Sequence, residues 1–226
     1  MLSFFPYARI SEVPINEILD CTLYVMHRWG HIKCFRFDNG RPFGDPKRET
    51  FSPLALHLVA RGCEVLFNPP RTPTENAKVE RCQGTTGKWA DAPNCKDLKT
   101  FIESLDYAVV AQREKYKTRV CKGKTRMEFY PELASNSRKY NSQNFETQRV
   151  LKFLEQGKWY RKVSSVGQIS LFSEKYQVGF QYKNQEISIK LSLQNNTVHW
   201  NCYDEKQNLI KQFSARNLND GSFFSF

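Results

Sequence analysis

The stretch IKCFRFDNGRPFG, residues 32–44, sets a run of β-favouring residues directly against an Asp-Asn-Gly turn. A strand ending at Phe37 would put the Asp38 carboxylate at the carboxyl end of a sheet strand. The same tripeptide is also an ordinary turn, in which Asp38 would bond only its own backbone. The flanks set the surrounding grammar. Upstream, INEILDCTLYVMHRW (15–29) repeats Ile15, Ile18, Leu19, Thr22, Leu23, Met26 and Trp29 at helical spacing, and Gly30 stands where a helix-ending glycine belongs. Downstream, PLALHLVARG predicts a second helix closed by Gly62, and CEVLFN another short strand. Helix, strand, helix, strand is α/β grammar.

Beyond that strand comes NPPRTPTENAKVERCQGTTGKWAD, in which Thr72, Pro73 and Glu75 form a capping box with proline at the first helical position. The spacing predicts a helix from there, weakened at its far end by Gly84 and Gly87. A longer amphipathic helix is expected over 97–112, with Leu98, Phe101, Ile102, Leu105, Val109 and Gln112 on one stripe, and its basic continuation REKYKTRVCKGKTR is expected to be solvated. After residue 145 the period switches to alternation: Tyr176, Val178 and Phe180, then Ile187, Ile189 and Leu191, then Val198, Trp200 and Cys202. Turn signals at Gly167, Lys183-Asn184, Asn195-Asn196 and Asp204 separate these runs. About five short strands so closely spaced predict a small closed barrel.

Bulk properties narrow the function classes. A net charge of +11 over 226 residues points to a polyanionic partner, because clustered lysine and arginine displace counterions from phosphate backbones, a feature that a basic ribosomal or membrane-surface protein would share. Seven cysteines without a CxxC pair and only four histidines fit neither a zinc module nor a disulfide framework. No apolar run reaches membrane-spanning length and no signal-peptide layout opens the chain, so the expected setting is a reducing cytoplasm.

Phosphoryl-transfer enzymes that use two metal ions need carboxylates converging from separate elements. Asp38 finds such a counterpart in Glu80, 42 positions on. Glu75 competes for that role, but at N3 of the capping box its carboxylate serves backbone N–H groups. Glu80 lies about 140° further round the helix, with Asn76 and Gln83 on its face. Lys78, Arg81, Thr85 and Lys88 fall on the neighbouring face, where they could hold DNA phosphates.

These residues carry a resemblance. Residues 4–140 resemble the catalytic core of integrase-type (DDE) insertion-sequence transposases, members of the retroviral-integrase superfamily with a ribonuclease-H-like fold. FDNGRPFG matches the motif of the family's second catalytic aspartate, which would be Asp38, and NPPRTPTENAKVER matches that of its catalytic glutamate, which would be Glu80. The resemblance implies Mg2+ or Mn2+ held by Asp38 and Glu80, transposon-end and target DNA as partners, and assembly with itself or with full-length transposase. It divides the chain into a core over 1–145 and, over 146–226, a small SH3-like β-barrel that binds DNA. In the barrel, WYRKV and KYQVG interleave aromatics with basic residues, so Arg161 and Lys162 are DNA-contact candidates, and Trp159, Tyr160 and Tyr176 belong either to the core or to that surface.

The chain departs from the family in ways that matter. Ala77 and Cys82 replace the usual glycine and aromatic, and the Asn-x-x-Arg-Pro-His element is not recognisable after the last core helix. The first catalytic aspartate belongs to a strand that the chain, beginning at MLSFFPYARISEVP, is expected to lack. Asp20, on the solvent side of an amphipathic helix, does not replace it. The expectation is therefore a transposase-derived protein inactive alone. The alternative is a non-catalytic DNA-binding remnant that inhibits full-length transposase.

Overall fold

A computed structural model describes residues 13–38, 40, 43–45, 50–69, 77–136, 138–172, 174–194, 197–216, 218 and 223–224. The protein is mixed α/β, with antiparallel pairing in its carboxy-terminal half. It forms two compact units, Met1–Lys33 with Phe67–Asn141 and Cys34–Leu66 with Ser142–Phe226. No helix among the described residues is long and apolar enough to cross a membrane.

The first unit is helical. In α1 (Ile15–Trp29) the predicted stripe buries Leu19, Met26 and Trp29, while Asp20 is exposed as expected. Gly30 ends the helix at φ 97°, and a Cβ there would lie 2.6 Å from the Arg138 carbonyl oxygen, so both conformation and space require glycine. The guanidinium groups of Arg28 and Arg113 lie 4.3 and 4.8 Å from the Trp29 ring. Helices α3 (Ala77–Ala90) and α4 (Leu98–Glu114) pack together. Asp97 caps α4 by accepting from the Thr100 N–H and hydroxyl.

Gly84 and Gly87, expected to weaken the far end of α3, lie within it, and the helix continues to Ala90. The far turns are held by tertiary bonds instead: Gln112 donates to Thr86 Oγ1 at 2.8 Å, and Ser104 donates to the Ala90 carbonyl at 2.7 Å. Packing outweighs propensity here. Both glycines are exposed, with nothing within 4 Å of an added Cβ. Gly84→Ala and Gly87→Ala should therefore each stabilise the protein by about 0.5–1 kcal/mol, seen as a higher urea midpoint at unchanged slope.

In α4 the predicted stripe is buried only at its carboxyl half, through Val109 and Gln112. Leu98 and Ile102 stay 55% and 39% exposed. The basic continuation is mostly exposed, as expected. Thr118 and Lys124 form a β-bridge around a turn in which Cys121 is buried, and Thr125 with Glu128 then makes a capping box for α5 (Arg126–Phe129). The lysines of this turn are exposed while its cysteine is not. The Thr72–Glu75 capping box and the Asn195-Asn196 turn lie outside the described residues.

The second unit joins two stretches of chain. Strands β1 (Cys34–Phe37) and β4 (Glu64–Phe67) pair, as do β2 (Gly44–Asp45) and β3 (Thr50–Phe51). Between them α2 (Pro53–Ala60) starts with Pro53 at N1 and Ser52 accepting from the Ala55 N–H, and it buries Leu54, Leu56 and Leu58. It packs against α6 (Thr147–Glu155), where Glu146 N–H and Arg149 both donate to the Ala60 carbonyl. That carbonyl ends α2 and would otherwise be orphaned.

The alternating segments become β5 (Trp159–Lys162), β6 (Gln168–Leu171), β7 (Glu174–Gln177), β8 (Glu186–Gln194), β9 (Thr197–Tyr203) and β10 (Leu209–Ser214). These are six strands where about five were expected. Their ladders give a four-stranded antiparallel sheet in the order β10-β9-β8-β5 and a separate β6-β7 hairpin. Ile187, Ile189, Leu191, Trp200 and Cys202 fill the inner face. Gly167 at φ 76° and Asn184 at φ 63° supply the left-handed turn residues. Asp204 accepts from the Asn208 N–H and side chain to close the β9–β10 turn.

Candidate functional site

Asp38 directly follows β1 and is exposed. Its Oδ1 accepts from the Gly40 N–H at 3.0 Å, the bond of an Asx turn, and Oδ2 has no partner among the described residues. Phe43, three residues beyond Gly40, stacks on Phe37 at 4.5 Å between centroids, which fastens the far side of the turn to the strand. The turn and the free oxygen coexist, so the structural and chemical roles of Asp38 are compatible.

Glu80 lies in the first turn of α3. It is exposed and has no hydrogen-bond or ion-pair partner among the described residues. Asp38 belongs to the second unit and Glu80 to the first. Both offer hard carboxylate oxygens of the kind that Mg2+ and Mn2+ take, so the donor chemistry fits. Among the described residues no group of three or more His, Cys, Asp or Glu side chains could hold a metal ion. Two carboxylates alone fall short of a complete centre.

Of the basic candidates, Arg81 and Lys88 are exposed on α3, and the Thr85 hydroxyl donates to the Arg81 carbonyl. The backbone of Lys78 belongs to the same helix; its side chain lies outside the described residues. Lys162 is exposed at the end of β5. Arg161 differs. Its register partner is Ile187, on the inner side of the sheet, and its guanidinium donates to the Ser170 and Tyr160 carbonyls. Strand alternation explains this, because Arg161 shares a face with buried Trp159. Trp159 and Tyr176 are core, 4% and 3% exposed, whereas Tyr160 is 47% exposed.

One polar group escaped sequence reasoning. His57, on the otherwise apolar α2, packs against the rings of Phe145 and Phe224, and burial followed by the charge of Arg61 pushes its pKa down to about 4. It is therefore neutral at physiological pH and serves packing. No signal in PLALHLVA separates such a histidine from a functional one. No protein-family model matches the chain, and no curated protein matches it.

Proposed function

We propose that the chain is transposase-derived and acts in DNA recombination, with a ribonuclease-H-like core contributing Asp38 and Glu80 and an SH3-like barrel region contributing DNA contacts. The observation that carries this reading is the state of the two carboxylates. Asp38 lies at a strand end and Glu80 in the first turn of α3, and each keeps oxygen that no intramolecular bond among the described residues engages. Asp38 and Glu80 would hold Mg2+ or Mn2+, which when bound supplies Lewis-acid activation of the attacking oxygen. The residues of the chain do the rest. The Asx turn fixes the Asp38 backbone so that Oδ2 projects free of it, α3 carries Glu80 on a rigid element, and Arg81, Lys88 and Lys162 present charge to phosphates.

A second reading, DNA occupancy without catalysis, is favoured by the shortage of ligands: among the described residues no group of three or more His, Cys, Asp or Glu side chains could hold a metal ion. In that case the protein blocks DNA ends or joins full-length transposase as an inhibitor.

Both readings require DNA binding dominated by phosphate contacts. Fluorescence anisotropy with a duplex of arbitrary sequence should give a Kd that rises steeply with salt, on the order of 10³-fold between ~50 and ~200 mM if about six phosphates are neutralised. A flat salt response would sink both.

A further inference from the structure

The outer face of the four-stranded sheet carries an arrangement that the reading above uses only at Lys162. Cross-strand register places Tyr160, Ser188 and Tyr203 in one row over β5, β8 and β9. The two tyrosines are thus separated by two interstrand spacings, about 9–10 Å, with a small serine between them. Lys190, Asn201 and Gln212 form the next row.

Each tyrosine ring has a lysine ammonium near it: Lys158 Nζ lies 5.1 Å from the Tyr160 centroid, and Lys190 Nζ lies 6.0 Å from that of Tyr203. Lys162 is exposed on the same strand and face as Tyr160, with Glu186 opposite it as the acidic member. The floor is polar and fixed, since Asn201 donates to Ser192 Oγ and accepts from Gln212, both at 2.8 Å. Ser188 is 4% exposed, and its hydroxyl has no partner among the described residues. A hydroxyl so enclosed offers nothing to a ligand from outside, and Ser188 contributes only a small residue between the two rings.

We infer that this face binds single-stranded nucleic acid, with unpaired bases stacking on Tyr160 and Tyr203 above Ser188 and with Lys158, Lys162 and Lys190 on the flanking phosphates. Aromatic rings on a flat sheet match the faces of unpaired bases, which a duplex keeps stacked away. The three lysines outnumber the one glutamate, so the charge suits a polyanion. In the free protein the ammonium groups lie near the rings that a base would cover. On binding they would move from ring to phosphate, exchanging a cation–π contact for an ion pair. This inference stands on the sheet alone and needs neither Asp38 nor Glu80, so failure of the recombination reading leaves it intact.

The test uses the full chain and labelled oligothymidylate and oligouridylate of about 12 nucleotides, a length within the usual site sizes. Anisotropy should show tighter binding of the single strands than of a duplex of equal length. Tyr160→Ala and Tyr203→Ala should each weaken it by about 5- to 100-fold, while Tyr160→Phe, which keeps the ring, binds like the parent. Photocrosslinking of the unaltered protein with a 5-bromouracil oligonucleotide, mapped by mass spectrometry, gives a readout independent of how any variant folds, and Tyr160 or Tyr203 should be the labelled site. Equal affinity for duplex and single strand, unchanged affinity of Tyr160→Ala, or crosslinks confined to other residues would overturn the inference.

Discussion

The 226-residue polypeptide incubated with donor-end DNA and Mg2+ or Mn2+ is expected to give no strand-transfer product. On the proposed reading, adding in trans a strand that carries a third carboxylate is expected to bring joining into view. The reason is charge. Two divalent ions beside a scissile phosphate need several anionic oxygens, and the chain provides Asp38 and Glu80 without a described third carboxylate to complete a metal-holding group. In the completed enzyme Asp38→Asn and Glu80→Gln keep shape and lose charge, so each should lower joining on the order of a thousandfold or more while DNA affinity stays within a few-fold. The amide oxygen that Asp38→Asn introduces can still accept from the Gly40 N–H, so the turn should survive and the loss would report the ligand rather than the fold. Robust joining by the unmodified chain would show that another group completes the site, and full activity of the Glu80→Gln enzyme would assign the glutamate wrongly.

Much of the second-unit architecture was legible because its signals are local. Ser52-Pro53 starts α2, Gly62 follows its end with φ 80°, and period-2 alternation marks β8 and β9. What was not legible depended on partners distant in sequence. Nothing within QGTTGKWA says that Ser104 and Gln112 will bond the last turns of α3, so the local signal shows the weakening by the glycines and not the bonds that offset it. The amino half of the α4 stripe has helical spacing, yet Leu98 and Ile102 are exposed, because periodicity identifies a face and not what covers it.

In the candidate site, the Asp38 turn follows from the tripeptide itself, whereas the carbonyl bonds of Arg161 depend on its neighbours in the sheet. Reading WYRK as an alternating strand pairs Arg161 with Trp159 and sets Tyr160 with Lys162, which the register bears out.

Trp200→Ala should produce the largest loss of stability of any single change in the carboxy-terminal sheet. Trp200 is fully buried on β9, between Leu191 of β8 and Phe213 of β10 in register. Trp159 meets it edge-on at 5.2 Å, and Phe172 stacks on it at 5.6 Å between centroids. Phe172 holds φ 48°, a left-handed conformation unusual for a bulky residue, so the stack helps to offset backbone strain. Truncation removes the indole shared by these rings and leaves a cavity that strands on both sides prevent from collapsing, at a cost of about 3–5 kcal/mol. That is a large fraction of the ~5–15 kcal/mol that holds a typical domain together. Trp200→Phe is the informative companion. The indole N–H is buried without a partner among the described residues, so phenylalanine keeps much of the ring packing and removes an unsatisfied donor, and the loss should be well under half that of alanine. Urea titration followed by circular dichroism should show the midpoint falling steeply for Trp200→Ala and slightly for Trp200→Phe at equal slopes. Equal losses for the two variants would mean that the N–H, through a bridging water, and not the ring stack, makes this residue indispensable.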